Sequence, residues 1–205
     1  MAKGLRERKK ERTRQALIDA AVALFSERGF AGATVEDIAA AAEVSPSTFF
    51  RYFGTKEDVL FDDYEVQIER WAAALGEGPP GETLGQALRR ATLALLDAQR
   101  DAAQALHVSA RLQRDEPALA RRSLELDARA VERGAIAIAE WLGVDAETDL
   151  RPLVIAAAVR GALFAATRRW SATGHAATPA ELVEAAFDLL GRLGDELATP
   201  RPSPG

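Results

Sequence analysis

Apolar residues recur with a helical period along almost the whole chain. From about residue 8 to 28 they fall every three or four positions and form one stripe, made of Leu17, Ile18, Ala21, Val22, Leu24 and Phe25. The alternating pattern of a β-strand is nearly absent. Further helices are predicted at about 83–100, 102–115, 117–142, 148–173 and 179–196. The sequence therefore predicts an all-α protein of one or two domains.

Local signals mark the end of the first helix and the start of the second. Gly29 follows the stripe and can adopt the left-handed conformation that ends a helix, and Phe30 can fold back onto Phe25. Thr34 is a predicted N-cap, with Asp37 three residues later, where its carboxylate meets free backbone amides. A short second helix is therefore expected to follow Thr34.

A third helix is predicted from Pro46 to about Gly54. Ser45 is its predicted N-cap, because proline disfavours the helical conformation in the preceding residue and suits the first helical position. Val44 and Phe49 have the spacing of a hydrophobic staple across the start of this helix.

The fourth helix is expected to begin at a Thr55 cap, with Asp58 three residues later. Its predicted apolar stripe is Leu60, Tyr64, Ile68, Trp71 and Leu75. The segment GEGPPGE, residues 76–82, ends it. The most apolar stretch, 152–167, contains Arg160 and is too short to span a bilayer, so we expect a buried helix there.

Two short helices between long ones, joined by a turn of three or four residues, are typical of a helix-turn-helix, whose second helix enters the major groove of DNA. Phe49 and Phe53 share one face and are assigned to the core with Val44 and Ile38. Arg51 can present two N–H donors to a guanine. Groups suited to phosphate oxygens are those of Thr34, Ser47, Thr48, Tyr52 and Lys56.

Charge is unevenly distributed along the chain. The formal net charge is −5, but residues 1–56 hold 10 Lys and Arg against 7 Asp and Glu, a net of +3. This excess lies at the start, in Lys3, Arg6, Arg8, Lys9, Lys10, Arg12 and Arg14. Either the basic start approaches a polyanion or it is a solvated helix end. The absence of cysteine excludes disulfides and thiolate sites, and with no secretory signal predicted we expect a cytoplasmic protein.

Three features occur in order in the stretch ALIDAAVALFSERGFAGATVEDIAAAAEVSPSTFFRYFGTKEDVL. The first helix ends in RGF, and a threonine opens the second helix. A run of valine-serine, threonine, an aromatic block and lysine-glutamate then follows. In these features the stretch resembles the DNA-binding domain of the TetR family of bacterial regulators, over about residues 12–61. The resemblance implies DNA contacts from Thr34, Ser47, Thr48, Arg51, Tyr52 and Lys56. The family often has a phosphate-binding tyrosine at position 50, where Phe50 is expected to pack or to contact a sugar.

The resemblance further implies a DNA-binding domain at 1–56, a helical effector-binding and dimerisation domain at 57–196, and a disordered tail at 197–205. The expected partners are a pseudo-palindromic DNA operator, a second copy joined through the last two helices, and a small hydrophobic effector; no cofactor, metal or membrane is implied. The C-terminal half is similar to regulators of acyl-CoA-like ligands, including mycofactocin-type regulators. Candidate effector-binding residues are Leu96, Leu106, His107, Leu112, Leu126, Phe164 and Arg168.

The resemblance implies a transcriptional regulator, by family default a repressor, that the effector releases from its operator. Two other classes of protein are alternatives to it. An enzyme is not predicted, since the two histidines fall on different elements and the acidic pair Asp62 and Asp63 is expected on a solvated helix surface. A helical adaptor without specific DNA binding is the alternative, although it would not need the basic start or the polar face between Ser45 and Lys56.

Overall fold

The computed structural model of the chain describes residues 4–98, 112, 115–172 and 177–193. These residues form α1 (Leu5–Arg28), α2 (Val35–Ala41), α3 (Pro46–Tyr52), α4 (Tyr64–Gly76), α5 (Leu84–Ala98), α6 (Pro117–Leu142), α7 (Leu150–Ala172) and α8 (Pro179–Gly191), with a short 3₁₀ helix at Asp58–Leu60. The described part of the chain contains no strand, and the all-α prediction is confirmed. The helix predicted at 102–115, apart from residues 112 and 115, and the tail at 197–205 lie outside the described residues.

The described chain divides into two compact units. The first contains residues 4–64, 112 and 115–125, and the second contains 65–98, 126–172 and 177–193.

The core of the first unit is built from α1, α2 and α3. Its fully buried side chains include Leu17, Phe25, Ile38 and Phe49. The predicted fold-back at the end of α1 is present, because Gly29 has a φ of 74° and the rings of Phe25 and Phe30 lie 5.1 Å apart between centroids. The apolar stripe predicted for the first helix is therefore the stripe that this core uses.

The prediction of one continuous fourth helix from Thr55 is wrong. Thr55 and Asp58 do form the expected reciprocal pair, in which each backbone N–H donates to the side chain of the other residue. The turn that follows is only the 3₁₀ helix Asp58–Leu60, and α4 begins at Tyr64. Between them, Asp62 and Asp63 both contact Arg14 of α1.

In the second unit, α4 to α8 surround a separate apolar core. Its buried side chains include Leu75, Leu88, Ile138, Val159 and Phe187. Two consecutive hydrogen bonds lie beside this core. The indole N–H of Trp71 donates to the Thr92 hydroxyl, and that hydroxyl donates to the backbone carbonyl of Leu88. Thr92 is almost fully buried, so both ends of its hydroxyl group are satisfied within the core.

The expectation that the most apolar helix is wholly buried is wrong. One face of α7 packs into the second core through Pro152, Ala156, Val159, Ala166 and Trp170. The opposite face exposes large apolar side chains, of which Leu150, Val154 and Phe164 are 69%, 54% and 52% exposed. Among the described helices α7 alone has the length and composition to cross a membrane, and only 22% of its most apolar 18-residue window is buried.

Candidate nucleic-acid interface

The turn between α2 and α3 closes through a Schellman motif. The N–H of Val44 donates to the carbonyl of Ala39 at 2.9 Å, and the N–H of Glu43 donates to that of Ala40 at 3.1 Å. The residue between these helices that takes the left-handed conformation is Glu43, with a φ of 55°. Glycine is the usual residue there, because a side chain in this conformation is strained. The turn is therefore fixed in shape by hydrogen bonds and carries some backbone strain.

Three hydroxyl groups cluster at the start of α3. The predicted N-cap is confirmed, since Ser45 Oγ accepts from the N–H of Thr48 at 3.2 Å. The same oxygen lies 2.9 Å from Ser47 Oγ and 3.0 Å from Thr48 Oγ1. A hydroxyl rotates freely, so either of these two side chains can turn its proton from Ser45 to a phosphate oxygen.

Thr34 forms a complete capping box with Asp37 at the start of α2, as predicted for its cap. Its hydroxyl donates to Asp37 Oδ2 at 2.7 Å and accepts from the N–H of Asp37 at 3.1 Å. The hydrogen bonds from the Thr34 hydroxyl and backbone lower the pKa of the Asp37 carboxyl group. The Thr34 hydroxyl has only one proton, so it can donate to a phosphate only by breaking its hydrogen bond to the ionised Asp37 carboxylate.

The face of α3 opposite the core is polar. Phe49 and Phe53 are both buried, as predicted, and their rings lie 5.5 Å apart between centroids. Ser47 and Arg51 are exposed and, being four residues apart, share the outward face. Tyr52 is half-buried at the edge of this face, with the Arg51 guanidinium 5.5 Å from its ring centroid. The guanidinium fork of Arg51 is thus presented outward from a helix whose other face is anchored.

Phe50 lies beside this polar face and is 55% exposed. The expectation that it packs is met only at one edge, where the rings of Phe49 and Phe50 make a T-shaped contact at 5.5 Å between centroids. Most of an aromatic ring is therefore left on the exposed surface of α3 next to Arg51.

Lys56 has a structural role that the sequence did not reveal. Its half-buried ammonium donates to the carbonyl oxygen of Phe30 at 2.8 Å and to that of Ala33 at 3.1 Å. It also lies 4.2 Å from the centroid of the Phe30 ring, within the range of a cation–π contact. Two of its three hydrogens thus hold the turn between α1 and α2, and one remains for a phosphate. The partners are 26 and 23 residues away, so no local pattern could have indicated them.

Arg14 and two consecutive aspartates form a second contact that the sequence did not indicate. Its guanidinium contacts Asp62, donates to Asp63 Oδ1 at 2.6 Å, and donates to Glu11 at 3.2 Å. The Asp62 side chain is only 15% exposed, so its predicted place on a solvated helix surface is wrong. Burial raises the pKa of Asp62 to about 6, although the nearby Arg14 favours the charged form.

The basic start of the chain is helical and exposed. Within the described residues, the cations in about the first two turns of α1 have no ion pair; they are Arg6, Arg8, Lys9, Lys10 and Arg12. The apolar core of the first unit begins only at Leu17, about three turns later. Positive charge at a helix N-terminus is unfavourable because the helix dipole is positive there. These residues therefore present charge outward without gaining stability from packing.

The structure describes five of the seven residues predicted to bind the effector. Leu112 lies in the core of the first unit, Leu96 packs against the core of the second, and Leu126 is buried. Phe164 and Arg168 lie on the exposed face of α7. Leu106 and His107 lie outside the described residues. One open surface cavity of about 440 Å³ is lined by Arg89, Phe187, Asp188, Gly191 and Arg192, none of them predicted.

Among the described residues, no cluster of three or more histidine or acidic side chains could hold a metal ion.

Comparisons with known proteins match both halves of the chain. A family model described as "Bacterial regulatory proteins, tetR family" matches residues 17–62, and one described as "MftR C-terminal domain" matches residues 82–193. The chain is 38% identical to the HTH-type transcriptional regulator TcmR of Streptomyces glaucescens, over 98% of this chain and 92% of that protein.

Solved structures share the fold. A TetR-family regulator from Syntrophomonas wolfei superposes with a TM-score of 0.69 at 21% identity, covering 91% of this chain and 96% of that one. The repressor FadR of Thermus thermophilus, solved in complex with lauroyl-CoA, superposes with a TM-score of 0.58 at 26% identity, covering 94% and 99%.

Proposed function

The chain belongs to the TetR family of bacterial transcriptional regulators, and we propose that it is a cytoplasmic repressor that binds a pseudo-palindromic operator through α3. The observation that carries this proposal is the outward face of α3, where Ser47, Thr48 and Arg51 stand opposite two buried phenylalanines. In this arrangement Arg51 contacts a guanine, while Ser47, Thr48 and Tyr52 contact phosphates. The contacts proposed for Thr34 and Lys56 use protein groups that already have partners within the first unit.

We propose that the exposed cations of α1 extend this interface along neighbouring phosphates. They lie on the exposed start of α1, and their charges lack partners among the described residues. Binding of such cations to phosphates releases counterions from the DNA, which favours the complex. No observation favours a helical adaptor over a regulator. We retain residues 1–56 as the DNA-binding domain and 57–196 as the effector-binding and dimerisation domain.

The test of DNA binding is selection from random DNA with the full-length protein, followed by mobility shifts at several salt concentrations. We expect one palindromic sequence to be enriched, and its affinity to fall steeply with salt. Lys9→Ala and Lys10→Ala together should lower the salt slope by about 2, since each lost phosphate contact removes about 0.9. Arg70→Ala, which removes an exposed charge from α4, is the matched control and should leave the affinity unchanged. Failure to enrich any sequence would refute the proposal.

We propose that the chain forms a homodimer through the exposed faces of α7 and α8. The exposed residues of α7 recur at helical spacing and combine large and small side chains, as Leu150, Val154, Ala157, Gly161 and Phe164. Leu189 on α8 is 51% exposed, and Leu193, two residues beyond the end of that helix, is 46% exposed. Apolar surface of this extent is typical of a protein interface, and a two-fold operator requires a two-fold protein.

Sedimentation velocity tests the dimer. Val154→Glu combined with Leu189→Glu should yield monomers and weaken operator binding, because each half-site would then be bound independently. Leu124→Glu is the matched control, since Leu124 is 68% exposed on α6, outside the proposed interface. A dimer that survives the double substitution would place the interface elsewhere. This proposal also moves Phe164 and Arg168 from an effector pocket to the dimer face.

We propose that the effector is a hydrophobic ligand of the acyl-CoA type. The support is the match of residues 82–193 to the MftR C-terminal domain and the lauroyl-CoA complex of the FadR neighbour. Lauroyl-CoA should release the protein from its selected operator, whereas laurate and free CoA added separately should not. Retention of the operator at saturating lauroyl-CoA would exclude this effector and leave DNA binding untouched.

A further inference from the structure

We propose that Phe50 reads the C5-methyl group of a thymine in the major groove and so contributes to operator specificity. The inference rests on the proposed DNA-binding function and adds a specificity-determining residue to it.

The Phe50 ring lies on the surface of the first unit. Phe50 is 55% exposed on the seven-residue helix α3, whereas Phe49 on the same helix and Phe53 directly after it are almost fully buried. A core role therefore accounts for Phe49 and Phe53 and leaves the larger part of the Phe50 ring without a partner in the described chain. An exposed aromatic ring gains free energy when a partner buries it, so the Phe50 ring can contribute to binding.

The Phe50 ring adjoins the polar face of α3. Phe50 immediately precedes Arg51, and both are exposed on α3, the helix proposed to enter the major groove. The ring is held on one side by its T-shaped contact with the buried Phe49, at 5.5 Å between centroids. A ring that is fixed on one edge and open on the other loses little entropy when it binds.

The chemistry of the Phe50 ring limits which groups of DNA it can contact. A phenylalanine ring has no hydrogen-bonding group, so it cannot recognise a phosphate or the polar edge of a base. In the major groove the apolar group on offer is the C5-methyl of thymine. With Arg51 on a guanine, the thymine should lie within about two base pairs of it, because adjacent helical residues are only about 1.5 Å apart along the axis.

The test uses an operator selected from random DNA by the wild-type full-length protein. Each thymine is then replaced in turn by deoxyuridine, which lacks only the methyl group. At one thymine position of a half-site, the replacement should weaken wild-type binding about fourfold for each methyl group removed, which is the effect of one buried methyl group. Phe50→Ala should bind the thymine operator more weakly than the wild type and should not respond to that replacement. Phe50→Leu, which keeps an apolar side chain, should respond in part.

A double-mutant cycle between Phe50→Ala and the deoxyuridine replacement isolates this contact from any general loss. If Phe50→Ala weakens binding while no thymine replacement is coupled to it, Phe50 contacts a sugar and the inference is overturned. A selected half-site without a thymine near the guanine overturns it as well. Circular dichroism should show an unchanged melting temperature for Phe50→Ala, since the side chain is more than half exposed. Failure of the proposed function would be seen separately, as the absence of any enriched DNA.

Discussion

Lys56→Met should destabilise the first unit, because it removes the ammonium group that holds the turn between α1 and α2. Methionine keeps an unbranched apolar side chain but removes the ammonium group, so the substitution isolates the two hydrogen bonds and the cation–π contact with the Phe30 ring. The lost hydrogen bonds run to the carbonyl oxygens of Phe30 and Ala33, at 2.8 and 3.1 Å. Both of these residues are buried, so their carbonyls have limited access to water in place of the ammonium.

The magnitude follows from these contacts. A buried acceptor left without its donor costs about 1–3 kcal/mol, and a cation–π contact contributes about 0.5–1 kcal/mol at a partly exposed site. Lys56 is half-buried, which places each hydrogen bond at the lower end of that range. We therefore expect the free energy of unfolding of the first unit to fall by about 2–4 kcal/mol.

The assay must observe the first unit directly. The three tryptophans of the chain, Trp71, Trp141 and Trp170, all lie in the second unit, so intrinsic fluorescence would miss the effect. Urea unfolding followed by circular dichroism at 222 nm, together with hydrogen exchange of the α2 amides, reports on the helices that the turn positions. Lys9→Met is the control, because Lys9 is exposed and has no ion pair among the described residues.

The result separates two roles of one side chain. If Lys56→Met unfolds like the wild type, the ammonium contributes nothing to the turn and the reasoning is refuted. A phosphate contact by its third hydrogen is measured independently, as a fall of about 1 in the slope of log affinity against log salt. Loss of stability with an unchanged slope would make Lys56 a positioning residue only.

Three further predictions concern the same unit. Arg51→Ala should weaken binding to the selected operator by about 1–3 kcal/mol and relax the preference for one guanine, as measured by competition with single-base variants. Glu43→Gly should raise the free energy of unfolding by about 0.5–1 kcal/mol, because glycine relieves the strain of the left-handed conformation. Gly143 has the same conformation at the end of α6, so the control Gly143→Ala should lower the free energy of unfolding. A free energy of unfolding that neither substitution changes would contradict this. Because the folded-state pKa of Asp62, about 6, lies above its ordinary value, the free energy of unfolding should fall as the pH rises from about 4 to 6. Asp62→Asn should abolish this fall of about 1–3 kcal/mol, and an equal pH dependence in both proteins would exclude the effect.

The parts of the fold that sequence predicted are those set by neighbours along the chain. The caps at Thr34 and Ser45 depend on residues three positions away, and the burial of Phe49 and Phe53 depends on a spacing of four. Such contacts repeat with the helical period, so a pattern in the sequence is enough to find them. The helix-turn-helix was predictable for this reason.

The parts that sequence missed depend on distant contacts or on a second molecule. Asp62 is drawn out of a helical pattern by Arg14, which is 48 residues earlier. The ammonium of Lys56 is bound by carbonyls that carry no sequence signal, because every residue has one. On α7 the apolar residues outnumber those that one core can bury, and periodicity cannot distinguish a wholly buried helix from one that needs a partner.

The hydroxyl groups proposed to contact DNA are already engaged in the free protein. Thr34 gives its proton to Asp37, and Ser47 and Thr48 both lie within hydrogen-bonding distance of Ser45. A phosphate gained by any of these hydroxyls replaces an existing hydrogen bond, so the net gain per contact is smaller than the contact alone suggests. Arg51 has no such internal hydrogen bond among the described residues, and it can approach DNA without giving one up. Among these residues, Arg51 should therefore dominate specific affinity, while the hydroxyls chiefly set the position of α3 on the backbone.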